Sequence, residues 1–111
     1  MPEKIIQVTT MTSQRETAEA IAQAVLELRL AACVQIDGPV ESHYHWKGNL
    51  ETAQEWRCVM KTRESLWPRL ESVIRSLHPY EIPEILALPV SGGFGPYLNW
   101  LEVETGGEGA F

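Results

Sequence analysis

An α+β domain, with both helices laid on one face of a four-stranded antiparallel sheet, is what this sequence predicts. Three observations point there. Alternating or β-branched stretches give way twice to runs with helical spacing. One turn signal, Lys47-Gly48-Asn49, joins two long alternating stretches. And 111 residues leave room for a single core.

Ile5 to Thr10 is short and β-branched, as a first strand should be. Ser13 and Glu16 then form an S-x-x-E pattern, in which each side chain satisfies the other's backbone amide and opens a helix. Behind that cap Ala18, Ile21, Ala22, Val25 and Leu26 build one apolar face, and the helix is expected to end near Leu28-Arg29-Leu30. Ala31 to Ile36 is a compact apolar run, broken by Asp37-Gly38-Pro39. Past the break Val40, Ser42, Tyr44 and Trp46 alternate with Glu41, His43, His45 and Lys47. Gln54 to Thr62 returns with Trp56, Cys58 and Met60 on one side. Together these predict a long hairpin that bends at Gly38-Pro39, projects beyond the domain and carries Tyr44, Trp46, Trp56 and Met60 as one set.

A second helix is expected from about Ser65, on Leu66, Leu70, Val73, Ile74 and Leu77. Pro68 falls in its first turn, where a missing amide costs little, and His78-Pro79 stops it. Glu84 to Val90 reads as the last strand, and Pro96 opens a short helix through Tyr97, Leu98, Trp100 and Leu101. The order β-α-β-β-α-β matches the ferredoxin-like split βαβ unit, here with an extended hairpin and a C-terminal helix. Residues 1–104 are expected to form the one domain. Residues 105–111 have linker composition and are expected to be a flexible tail whose removal leaves folding intact. Two helices cover only one face of four strands, so the large apolar side chains left over predict self-association.

Composition narrows the function classes. Nine Lys and Arg against fifteen Asp and Glu give a net charge of −6, a surface that repels phosphate backbones and gathers cations weakly. Nucleic acid is therefore not an expected partner. Cys33 and Cys58 are too few for a secreted disulfide scaffold and read as reduced thiols. The start of the chain lacks a basic stretch followed by an apolar one, and no apolar run approaches about 18 residues. A cytoplasmic protein without a membrane partner is expected. G-x-S-x-G, G-K-[ST] and H-E-x-x-H are all missing, and Gly92-Gly93-Phe94-Gly95 lacks a dinucleotide fingerprint, so no enzyme is expected.

Several residues carry possible chemistry. Cys33 offers a soft thiolate donor for copper(I) or zinc; the alternative is a small buried residue in an apolar strand. Cys58 reads as core. His78 lies just past the second helix, where a neutral ring can bind metal or simply pack the loop. His43 and His45 form an H-x-H with rings about 7 Å apart, which is half of a metal site or a solvated strand face. His78-Pro79-Tyr80-Glu81-Ile82-Pro83-Glu84 holds a base, a phenol and two carboxylates between prolines. With Lys61 and Trp46 it suits a pocket between subunits for a small anion or metabolite, or else hydrogen-bonded packing.

The motifs Leu30-Ala31-Ala32-Cys33-Val34, Ser42-His43-Tyr44-His45-Trp46-Lys47-Gly48, Lys61-Thr62, His78-Pro79-Tyr80-Glu81-Ile82-Pro83-Glu84, Leu88-Pro89-Val90 and Tyr97-Leu98-Asn99-Trp100-Leu101 follow in one order. Together, over residues 4–103, they resemble the CutA family of divalent-cation tolerance proteins. The resemblance implies a ferredoxin-like homotrimer related in architecture to PII signalling proteins, and a copper-linked metal-homeostasis role that extends to other divalent cations. It implies metal ligation by Cys33, the Cys of the L-A-A-C motif, and by His78. Where some members carry a His pair, this chain has Leu77-His78. A PII-like small-molecule sensor and a trimeric interaction scaffold, the latter through animal members associated with acetylcholinesterase anchoring, are the competing implications.

Overall fold

The long hairpin sets the proportions of the molecule. The computed structural model describes residues 3–106. Its elements are β1 (Ile5–Thr12), α1 (Arg15–Glu27), β2 (Cys33–Trp46), β3 (Asn49–Arg63), a 3₁₀ turn (Glu64–Leu66), α2 (Trp67–Leu77), β4 (Ile85–Val90) and α3 (Gly95–Glu104). The strands lie in the order β2-β3-β1-β4, every neighbouring pair antiparallel, which is the ferredoxin-like arrangement. Fifteen residues of β3 span about 50 Å at the usual rise per residue. The molecule measures 50 × 26 × 22 Å, so its long axis is essentially that strand.

Alternation assigns the faces. Ile6 pairs with Thr62, Val8 with Met60 and Thr10 with Cys58, and this side meets the helices. Val8, Met60, Cys58, Ile21, Val25, Leu70 and Ile74 are all fully buried there. Each large apolar side chain so buried contributes roughly 1.5–3 kcal/mol. The opposite face carries Gln7, Thr9, Val59 and Lys61, with Leu86 and Leu88 of β4 paired to Thr9 and Gln7. Leu86 and Leu88 are each 56% exposed.

One expectation changes at the start of α1. The S-x-x-E box does not form: Gln14 is the N-cap residue of α1, and no side chain of the described residues caps that helix. Thr12 Oγ1 instead donates to the Gln14 carbonyl at 2.9 Å, which starts the helix one residue later and frees Ser13 for another partner. The hairpin turn is tight, with Lys47 and Gly48 both at positive φ (49° and 82°), the geometry whose twist matches two antiparallel strands.

The bend at Gly38-Pro39 has a larger effect than expected. Asp37 pairs with Arg57 but Val40 pairs with Glu55, so β2 carries one residue more than β3 across this point. One extra residue exchanges the faces of everything beyond it. Tyr44 and Trp46, expected beside Trp56 and Met60, therefore share a face with Glu51, Ala53 and Glu55 instead. Gly38 sits where a Cβ would lie 2.9 Å from the Trp56 ring and 3.0 Å from the Glu55 carbonyl oxygen, at φ +154°.

Thr105, assigned to the tail by composition, is 3% exposed. Arg63 Nε donates to its hydroxyl at 2.9 Å and Nη2 to its carbonyl at 2.6 Å, while Nη1 pairs with Glu3 at 3.0 Å. Residues 107–111 of the expected tail lie outside the described residues.

Gly38→Ala should lower stability by about 1–3 kcal/mol, since either the Trp56 ring or the Glu55 backbone must move. Gly92→Ala, with nothing within 4 Å, should stay within about 0.5 kcal/mol. Denaturant midpoints at unchanged slope separate the two. A chain ended at Glu104 should lose about 1–3 kcal/mol, because Arg63 is left half-satisfied in a site where its side chain is 16% exposed. A chain ended at Gly106 keeps those bonds and should melt above the chain ended at Glu104.

Candidate functional site

The exchange of faces at the bulge builds a groove. Ser42, Tyr44, Trp46, Ala53 and Glu55 on the outer hairpin form one side, Met11 and Ser13 the base, and Tyr80, Glu81, Ile82, Pro83 and Glu84 the other side. Its volume is ≈ 840 Å³, within the range of small-molecule sites.

His78 fixes the second wall. It is 8% exposed; its Nε2 donates to the Met11 carbonyl at 2.7 Å, and its Nδ1 accepts the Tyr80 backbone N–H at 3.2 Å. Both nitrogens are thereby used, and the ring edge meets the Tyr80 ring at 4.7 Å between centroids. The histidine thus latches the loop after α2 onto the end of β1.

Tyr80, held in this way, donates its hydroxyl to Glu55 Oε2 at 2.7 Å. Burial and the adjacent carboxylate push the phenol up to about 12, and Ser13 reaches the same oxygen. The phenol therefore remains a donor throughout the neutral range. Glu55 is only 7% exposed. It was not singled out in the sequence because its alternation places it with polar residues. Only the bulge and the Tyr80 loop together cover it.

Cys33 lies elsewhere. It opens β2, half-buried, opposite Lys61, which in turn faces Gln7. The His78 ring contacts Met11, four residues further along β1 and about 13 Å away at strand spacing. One protomer does not bring Cys33 and His78 together. Among the described residues no three His, Cys, Asp or Glu side chains converge in metal-ligand geometry. Cys58 is fully buried, and burial raises its thiol to about 11, which leaves it protonated and inert.

His43 Nε2 donates to Glu41 Oε2 at 2.8 Å, and its Nδ1 is hydrogen-bonded to the Thr52 hydroxyl at 3.2 Å. It shares with His45 the face opposite Tyr44 and Trp46. Lys61 donates to Gln35 at 2.9 Å and is absent from the groove wall, so the expected combination of Lys61 with Trp46 and the Tyr80 segment does not form within a protomer.

This whole framework has counterparts. The family model described as "CutA1 divalent ion tolerance protein" matches residues 6–104. Protein CutA of Mus musculus is 47% identical over 90 residues, 81% of this chain and 51% of that protein, so the chain spans about half of that relative's length. The divalent-cation tolerance protein CutA of Thermus thermophilus is 44% identical over 91 residues, 82% of this chain and 88% of that protein. The crystal structure of CutA1 from Oryza sativa superimposes with a TM-score of 0.89 at 36% identity, covering 93% of this chain and 94% of that one. A match that includes every strand, all three helices and both walls of the groove leaves one assignment: the chain belongs to the CutA1 divalent ion tolerance protein family.

Proposed function

We propose that the protein acts in divalent-cation tolerance as a cytoplasmic, non-catalytic homotrimer that binds copper and other divalent cations. The observation that carries this reading is the family match over residues 6–104. The net charge of −6 adds a field that gathers cations. Two free thiols, one of them half-exposed, suit a reducing compartment.

Association follows from the uncovered sheet face. Leu86 and Leu88 remain 56% exposed there, and α3 adds Tyr97, Trp100 and Val103 at 39%, 43% and 43%. A row of this kind on a small domain marks a contact surface. Cys33 lies on that same face, paired with Lys61, and its nearness to the Tyr97 phenol helps to hold that group in its protonated form, after burial. Cys33 is the soft donor in this proposal, and the remaining donors come from neighbouring protomers. His78 would join only by giving up its bonds to Met11 and Tyr80.

Light scattering at micromolar concentration should give about three times 12.5 kDa. Leu88→Glu, a charge placed on the apolar row, should shift the mass to that of one chain; a wild-type mass near 12.5 kDa would sink the trimer. Calorimetric titration of reduced protein should show Cys33→Ser weakening copper(I) by about tenfold or more and copper(II) less, since the substitution removes the soft donor. Unchanged copper(I) affinity would remove Cys33 from the proposal. His78→Ala distinguishes the two roles of that ring: a lower melting temperature is expected from its buried bonds, whereas a ligand would also lose affinity for both copper states.

A further inference from the structure

We propose that the groove between the outer hairpin and the Tyr80–Glu84 segment binds an organic cation, a substituted ammonium whose apolar groups contact its aromatic walls. The site is separate from Cys33, and the proposal does not depend on copper binding.

Charge is the first argument. Glu55 is 7% exposed, and its recorded partner is a neutral phenol. Among the described residues no Lys, Arg or His nitrogen lies within 4 Å of its carboxylate. A buried carboxylate without a counter-charge is costly, and such groups are normally paired. Glu81 and Glu84 line the same groove, whose basic lining residues are His43 and His45, with no Lys or Arg. The groove therefore suits a cation, the reverse of the anion expected when Lys61 was placed in it.

The walls define what kind of cation. Tyr44, Trp46 and Tyr80 present aromatic surface, with Met11, Ile82 and Pro83 beside them. Aromatic faces attract ammonium groups and lose little by contact with methyl substituents. Trp46 already receives one cation, Lys47 Nζ at 5.5 Å from its ring centroid, on the rim where Lys47 also meets Glu81 at 3.7 Å. A bare divalent ion needs several converging oxygens. The three carboxylates are instead dispersed, with no metal-holding cluster among the described residues. A volume of ≈ 840 Å³ admits a metabolite-sized molecule.

The test is calorimetric titration of the full chain with tetramethylammonium chloride, against neopentyl alcohol as a neutral partner of similar size and sodium chloride at equal ionic strength. Saturable binding of tetramethylammonium alone, one per chain, is expected. Glu55→Gln keeps an acceptor for Tyr80 and should weaken binding by about tenfold. Trp46→Leu, near the hairpin tip and remote from the core, should weaken it about threefold, and Lys47→Ala should tighten it by a similar factor. If Glu55→Gln fails to fold, the Trp46 and Lys47 variants decide the matter. Equal binding of the neutral alcohol, no saturable binding, wild-type affinity in folded Glu55→Gln, or weaker binding in Lys47→Ala would each overturn the proposal. The absence of saturable binding is also what a groove filled by a second copy of the chain would give.

Discussion

One extra residue in β2, where Gly38 and Pro39 oppose Trp56 alone, governs what the outer half of the hairpin offers to its surroundings. Without it Tyr44 and Trp46 would extend the helix-covered face, out beyond the reach of either helix. With it they turn to the other side and meet the loop that follows α2. The bulge persists because Gly38 lets the two strands approach more closely than any side chain would permit, with the Trp56 ring and the Glu55 carbonyl occupying the space a Cβ would need. Packing and site geometry thus have a common cause. Trp56 completes the core from one face while Glu55, its neighbour in sequence, is covered from the other.

The second wall depends on a histidine used as a spacer. Pro79 prevents α2 from continuing, and the chain must then cross the end of the sheet to begin β4 beside β1. His78 bridges that crossing with two hydrogen bonds, one to each side. A buried imidazole satisfied in this way contributes order at the price of availability, because a ring that donates from one nitrogen and accepts at the other has no lone pair left for a metal.

The order of the elements was legible in the sequence because periodicity reports on burial, and β1, β3, α1 and α2 each bury one face. The hairpin, the stop at His78-Pro79 and the start of α3 beside Pro96 were all readable from turn chemistry. The face carrying Tyr44 and Trp46 was not, because parity across Gly38-Pro39 depends on how many residues the partner strand contributes, a property of the pairing and not of either strand. Glu55 escaped notice for the same reason. Thr105 escaped because composition reads Thr-Gly-Gly as linker, whereas its burial rests on Arg63, forty-two positions earlier in the chain. Of the groove, the sequence revealed the Tyr80–Glu84 wall and Trp46; it did not reveal the carboxylate between them.

The two ends of the sheet face different electrostatic problems. At the Cys33 end the open face carries exposed Leu86 and Leu88 beside one cation, Lys61, which is hydrogen-bonded to the Gln35 amide. At the hairpin end carboxylates accumulate around a sheltered groove. The overall charge of −6 cannot distinguish the two, because at physiological ionic strength fields between exposed charges fade over about 8 Å. What distinguishes them is local desolvation. Glu55, withdrawn from water and held by a phenol that stays protonated, keeps its field unscreened along the groove, while Glu81 at the surface is partly neutralised by Lys47. A cation entering the groove would therefore meet its strongest attraction where water is least able to compete, which makes burial of this one carboxylate, and not the acidity of the chain as a whole, the source of any selectivity.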